Sequence, residues 1–547
     1  MAAVARKKKP RWKYLYAAAA IKVIYKDDEN MQRQVAVSGV YVCSSEDVDD
    51  PGFVFTISSV LSCKDVATDP RCAFYAATPA AVSSTSVTWT PLAHSTSTDL
   101  PLLRTFISSH TTALANTFTF LPSSTDLTLP TLLAVFRPQT RLTPAALSPF
   151  SFAGPTPAGA KLVFRGAPFV ADSPAIFLGF ETRGTASFVD DASGVVLSDA
   201  RYMDGIEGSA AIIDDDSGDG VQLGVVAGAL RKVNGEGEMV VVYPWTAIVK
   251  DLASQLSSSR RRALQDLDLP TSLLTLKDTS ALDPAPLSSS SDNAAAMAHC
   301  VVCIRLRNRN GSRRSWGSGI LLTPAVIVTN HHVIPDLDQL SLASVTLPGG
   351  KNGTTLGVER AEKPFEGIDM IFLFLNKRSS SAILACNYPT AIPSLSSTTP
   401  SSTIHRNQPV TAIGYGLFPP SPTTTPTPLL SHGHITSTVP LPLLPHTPPS
   451  PALFTVSAAC WNGASGGGVF ASDTGALLGM ITSNAKTDRG VVYPTLGFVI
   501  PVGVVLLGYR RCVMKGRGEG GISERVVRLW KMQTTHVEIF EKIKTKL

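Results

Sequence analysis

Disulfide spacing, long apolar runs and dense charge are all missing from this 547-residue chain. The eight cysteines (Cys43, Cys63, Cys72, Cys300, Cys303, Cys386, Cys460 and Cys512) follow no framework pattern. That excludes a small stapled scaffold and predicts reduced thiols in an intracellular protein without a secretory leader. No uninterrupted apolar run reaches the roughly 18 residues a helical span requires, so no membrane span is expected. Charged residues are 16% of the chain and the net charge is +6. Much of that excess sits at the ends, where six of the eight residues from Arg6 to Lys13 are basic and the last 39 residues carry ten basic against four acidic. Such runs read as solvated tails, so no nucleic-acid partner is expected. Cys300-Val301-Val302-Cys303 has no second pair and His432-Gly433-His434 has no third ligand nearby, so neither metal nor cofactor is expected. Aromatics are only 7%, while Ser, Thr and Pro are locally abundant, a composition that suits β-structure with long loops.

What is present is organised by short apolar runs between turn residues, at a length that favours several domains. Residues 1–35 read as a basic N-terminal tail. Residues 36–250 carry strand-like runs such as Val37–Val42, Phe53–Leu61 and Val221–Val226. Residues 251–296, with Arg260-Arg261-Arg262 between serine clusters, read as a linker with a short helix near Leu264. Strand text resumes over 297–508, interrupted by a Ser/Thr/Pro-rich region at 394–451. A C-terminal tail follows over 509–547, with an amphipathic helix expected at Glu524–Met532.

The two β-rich regions are copies of one another. Gln222–Ala227 matches Leu477–Thr482, Val240–Pro244 matches Gly497–Pro501, and Ser38-Gly39-Val40 lies over Ser318-Gly319-Ile320. Asp99-Leu100 lies over Asp369-Met370, and Gly205–Ser209 over Gly463–Gly467.

The second copy carries a complete set of groups for nucleophilic chemistry. Gly463-Ala464-Ser465-Gly466-Gly467 is a sharp glycine turn able to aim the N–H groups of Gly463 and Ser465 at one spot, where an oxyanion would form. An apolar strand runs into His331-His332, the place for a general base, and Asp369 heads a second apolar strand, where it can fix the imidazole tautomer. Serine is a poor nucleophile until a base takes its proton. The order His, Asp, Ser suits two barrels with the site between them.

Ser-Gly-Ile, Thr-Asn-His-His-Val, Asp-Met-Ile, Gly-Ala-Ser-Gly-Gly and Gly-Phe-Val-Ile-Pro, taken together over about 297–508, resemble the Deg/HtrA branch of trypsin-like serine proteases. The resemblance implies an all-β fold: tandem trypsin-like modules, each of two six-stranded antiparallel β-barrels, the first degenerate and the second catalytic. It implies His332 as base, Asp369 and Ser465 as partners, and Gly463 and Ser465 as oxyanion donors. In trypsin-like enzymes an Asp six positions before the nucleophile selects Lys or Arg; here that position is Ala459. Ala459, Cys460, Thr482, Ser483 and Asn484 form the expected pocket, which lacks an acid and therefore takes small or weakly polar residues, cysteine being the one the resemblance favours. The 39 residues after Gly508 are too few for the PDZ domain that this family often adds.

The duplication and the ending Thr545-Lys546-Leu547 resemble the peroxisomal subgroup of that family. Its implied partners are proteins with N-terminal leader peptides and, through the C-terminal tripeptide, the peroxisomal import receptor in transit to the matrix. Homo-oligomerisation is left open. The first copy has no histidine in Ile57–Leu61, and its nucleophile position is Glu207 in one register or Ser209 in another. The competing readings are a general quality-control protease in another organelle and an inactive protease-fold binding protein.

Overall fold

A computed structural model describes residues 14–256, 297–513 and 522–531, less 27–30, 45–46, 48, 58–71, 84–85, 102, 104–105, 107–117, 122–131, 143–147, 150–155, 170–173, 215–220, 233–237, 308–312, 349–354, 386–389, 392–403, 418–425, 445–446 and 487–491. The chain is mostly β and divides into two compact units, Met1–Val233 with Glu238–Ala285, and Asn234–Gly237 with Pro286–Leu547. Each unit holds two β-barrels.

In the first module, strand Tyr14–Lys26 pairs along its whole length with Gln32–Ser44 and also with Ala73–Ala77. The ring continues through Phe53–Ile57, Leu132–Pro138 and Thr90–Asp99, which closes six strands, with Ser148–Pro149 added at one edge. Residues 14–35 are therefore not a tail. The Ala17–Ala20 patch lacks the β-branched side chains that announce a strand, yet these four residues are 7%, 7%, 0% and 0% exposed. Small side chains suit a strand covered on both faces inside a tight barrel. The second barrel of this module closes through Lys161–Gly166, Phe180–Val189, Val196–Ser198, Glu238–Pro244, Val221–Lys232 and Ala210–Ile213, with Phe118–Leu121 on its edge. Helix Trp245–Leu256 follows, so 251–256 continue the domain, and the rest of the expected linker lies outside the described residues.

The second module repeats the plan. Its first barrel runs in the order Thr355–Leu356, Ala343–Thr346, Val301–Arg307, Arg313–Thr323, Val326–Thr329, Ile371–Leu375 and Val358–Glu362, and the strands at 343–346 and 358–362 make contact rather than a hydrogen-bonded ladder. Its second is a closed six-stranded barrel of Pro409–Gly414, Leu429–Pro442, Pro449–Val456, Val492–Pro501, Leu477–Lys486 and Gly468–Ala471. Each barrel encloses an apolar core, with Val302, Ile327, Val345 and Leu373 in one and Val410, Phe454, Val469 and Val499 in the other. Among the described residues, no helix is long and apolar enough to cross a membrane.

The register of the repeat is fixed by matching bonds. The Thr329 hydroxyl donates to Ser318 O at 2.6 Å, and the Thr56 hydroxyl to Ser38 O at 2.7 Å. The backbone N–H of Gly466 donates to Ile481 O and that of Gly208 to Val226 O. Both copies skip one residue in the same ladder, at Thr482 and at Ala227, so a β-bulge has been kept in each. Leu417 and Phe169 also match, with φ of +67° and +51°.

One alignment is overturned. Thr329 pairs with Ile371 and its counterpart Thr56 pairs with Ala134, so the position of Asp369 falls on Leu132 and not on Asp99. Asp99 ends the neighbouring strand, opposite Leu132. The segment between Asp99 and Leu132 is longer than its counterpart and carries the added strand Phe118–Leu121, which displaces the match.

Candidate active site

Asn330, His331 and His332 follow strand Val326–Thr329 into a short 3-10 turn. The strand ends are pinned, since the Asn330 side-chain amide donates to Asp369 O at 2.8 Å. Asp369 holds His332 twice: Oδ1 accepts the His332 backbone N–H at 2.9 Å, and Oδ2 lies 2.5 Å from Nδ1. Of the two adjacent histidines it is therefore His332 that meets the carboxylate. Burial and Lys363 lower the pKa of His331. Burial raises Asp369, but its bonds to and charge interaction with His332, together with the Thr482 hydroxyl, outweigh it and hold the carboxyl below its ordinary range. The Thr482 bond, 3.3 Å from Oγ1 to Oδ2, reaches across from the second barrel.

The serine turn is built from bonds that leave little freedom. Gly463 and Gly466 have φ of +96° and +84°. A Cβ on Gly466 would lie 2.1 Å from Ser318 O, so only glycine fits. Ser318, from the first barrel, donates its hydroxyl to Gly463 O at 2.8 Å and accepts the Tyr415 N–H at 2.7 Å. Asn462 O accepts Leu417 N–H and Ala464 O accepts Gly467 N–H. In a trans peptide the N–H points opposite to the carbonyl, so the N–H groups of Gly463 and Ser465 are both turned away from those bonds. The Ser465 hydroxyl donates to Thr482 O at 3.2 Å rather than to His332.

The expected pocket residues are gathered beside this turn. Ala459, Cys460 and Thr482 are buried, Asn484 half-buried and Ser483 exposed. Burial pushes the Cys460 thiol up to about 12, so it is an inert apolar surface here. The Asn484 side-chain NH2 donates to Cys460 O, which fixes the amide orientation and leaves its Oδ1 buried without a hydrogen-bond partner. Opposite Asn484 stands Gly497, where a Cβ would lie 2.8 Å from Cys460 Sγ. None of the five residues carries charge. Thr545, Lys546 and Leu547 lie outside the described residues, as do Arg6–Lys13.

A family model for the trypsin-like peptidase domain matches residues 317–480, a range that contains His332, Asp369 and Ser465. The second module is a trypsin-like peptidase domain. Two curated relatives of the chain are named peroxisomal leader peptide-processing protease. The mouse (Mus musculus) protein is 28% identical over 70% of this chain and 61% of its own length, and the human (Homo sapiens) protein 29% identical over 66% and 56%. The chain thus aligns with less than two thirds of the length of either distant relative. Similar solved structures include the Rv3671c protease from M. tuberculosis in its active form, 19% identical over 42% of this chain and 86% of that one, with a TM-score of 0.29. The HtrA-type protease AlgW with tripeptide is 20% identical over 42% of this chain and 64% of that one, with a TM-score of 0.30.

The first module holds different groups at the positions equivalent to the peptidase site. Gly208 sits where Gly466 does, with φ +82° and Ser38 O 2.1 Å from where its Cβ would be, so Glu207 takes the place of Ser465 and Ser209 that of Gly467. Glu207 is 3% exposed, and its Oε1 accepts the Tyr202 hydroxyl at 2.6 Å. Burial raises its pKa, against the pull of Tyr202 and of the backbone N–H groups of Glu207 itself and of Gly205. Those two N–H groups are the counterparts of the Ser465 and Gly463 donors. Oε2 is buried without a hydrogen-bond partner. Tyr202 stands at the Cys460 position and packs with Ile206, Ala229 and Val240, with its hydroxyl on Glu207. The histidine position, Ser59, lies outside the described residues.

Proposed function

We propose that the peptidase module is a serine endopeptidase with Ser465 as nucleophile, His332 as general base and Asp369 as the carboxylate that orients it. The observation that carries this is the double hold of Asp369 on His332, joined through Thr482 to the strand that also accepts the Ser465 hydroxyl. On substrate binding the Ser465 side chain turns from Thr482 O to His332 Nε2, which takes its proton as Oγ attacks the carbonyl. The Gly463 and Ser465 N–H groups receive the oxyanion, His332 returns the proton to the leaving amine, and water then repeats the sequence on the acyl-enzyme.

The pocket favours a small, uncharged residue before the cleaved bond. Asn484 reaches from one wall to the carbonyl of Cys460 on the other, which limits depth. A cationic side chain would meet no carboxylate among the pocket residues and would remain an unpaired buried charge.

The names of the two relatives extend this reading to removal of N-terminal leader peptides from proteins of the peroxisome matrix. On this reading the chain works as a soluble matrix enzyme delivered by the import receptor, and the first module is catalytically silent. The test is to incubate peroxisomal matrix proteins with the wild-type chain and with Ser465→Ala, then sequence the new N-termini. Leader removal after small residues, lost in Ser465→Ala, supports the proposal; cleavage that persists in the variant, or none with wild type, overturns it.

A further inference from the structure

Asp369 is supported from behind by chain that lies beyond both barrels. Residues 524–531 form a helix where the sequence predicts a helix within a tail, and this helix is packed rather than free. Val526 is 0% exposed and Trp530 4%. On the second barrel, the Ser523 N–H donates to Leu443 O at 2.8 Å and the Trp530 indole N–H to Ala452 O at 3.1 Å, both on the hairpin of strands Leu429–Pro442 and Pro449–Val456. On the first barrel the same helix covers Gly367. That glycine has φ +84°, and a Cβ there would lie 3.1 Å from Val527 Cγ1 and 2.8 Å from Lys531 Cε. Gly367 is two residues before Asp369.

The residue after Asp369 is supported as well. A Cβ on Gly508, in helix Val502–Val513, would lie 2.7 Å from Met370 Cε, and the Tyr509 ring lies 6.3 Å from Phe372. Chain from beyond the second barrel therefore backs Asp369 on both sides, on a loop that belongs to the first.

We infer that helix 524–531 is a clamp that positions Asp369, with Val527 and Trp530 as positioning residues. It holds the loop at Gly367 at a fixed distance from the second barrel. The Asp369 carboxylate must reach His332 in its own barrel and Thr482 in the other at once, so its placement depends on that distance. Displacements well under an ångström in such a group are felt in rate, because the reacting geometry is lost while the substrate pocket is untouched. The inference rests on the catalytic reading proposed above.

The test uses Val527→Ala and Trp530→Phe in the full chain, changes small enough to keep the fold. With a short peptide substrate, kcat falls about tenfold with KM unchanged, and the loss disappears when either change is added to Asp369→Asn. A second readout needs no turnover: the downfield proton resonance of the His332–Asp369 hydrogen bond broadens or moves upfield in Val527→Ala. Unchanged kcat, or an equal loss in the Asp369→Asn background, overturns the clamp, as does an unmoved resonance. If wild type lacks turnover but its resonance responds to Val527→Ala, the clamp stands and the catalytic reading fails.

Discussion

Gly205–Ser209 and Gly463–Gly467 are one turn built twice, with the same left-handed glycines, the same serine and threonine beneath it and the same skipped residue in the neighbouring ladder. Yet one copy presents Ser465 and the other buries Glu207. The backbone that turns two N–H groups away from the bonds within the turn is the same in both. On the mechanism proposed above those N–H groups of the second module receive a substrate oxygen, while in the first module the buried Glu207 carboxyl lies beside them and is bonded to Tyr202. The divergence of the first module goes beyond a single residue. The positions of Ser465, Asp369, Thr482 and Asn484 are held by Glu207, Leu132, Ala227 and Ala229, so restoring one residue would leave the other three different.

The comparison breaks most visibly at the nucleophile. Ser465→Ala or His332→Ala should cost roughly three to six orders of magnitude in kcat, read with a peptide substrate, while Glu207→Ala and Ser209→Ala leave kcat intact. Asp369→Asn comes next, at about 10⁴-fold, because the amide favours the wrong imidazole tautomer. Loss of activity in folded Ser209→Ala would mean that the first module takes part in the chemistry.

Specificity gives a smaller effect. Asn484→Ala removes both the cross-pocket bond and the unpartnered acceptor. Competing peptides that differ only before the cleaved bond should then shift by about 10- to 100-fold in relative kcat/KM toward larger apolar residues. An unchanged ranking would place the selecting contact elsewhere.

The smallest effect is on stability, where the two modules should respond to pH in opposite directions. The raised pKa of Glu207 means that its contribution is present in acid and is lost as pH rises through that pKa. The lowered pKa of Asp369 means the reverse: its contribution is present above the ordinary carboxylate range and is lost as pH falls. Glu207→Gln should therefore stabilise the first module by about 1–3 kcal/mol near neutrality and by less in acid, measured by urea unfolding across pH. A gain that is the same at every pH would show that charge at Glu207 is not the cause.

Much of this was legible in the sequence where backbone constraint leaves a mark on residue type. The glycines of the turn, the Ser-Gly pairs and the repeated apolar strands gave the duplication and put Glu207 opposite Ser465. What the sequence concealed came from packing. Tyr14–Lys26 looked like a tail because its alanines carry no strand signal until a barrel surrounds them. Asp99 looks like a surviving acid in the sequence because an inserted strand moves the true counterpart of Asp369 to Leu132. The Thr482 hydroxyl and the covering of Gly367 depend on contacts between separate parts of the module and the Asn330 amide on a bond between two strand ends 39 residues apart, which no local pattern records. Asn330, directly before the histidine pair, was the one of these with a motif to point at it.

The central claim is that only one of the two turns is armed, and a fluorophosphonate tests it directly because it reacts with an activated serine and with no other. Treating the full chain with the probe and mapping the modified peptides should yield a single adduct on Ser465, absent from His332→Ala. An adduct on Ser209, or a folded wild-type chain that takes none at Ser465, would contradict the account.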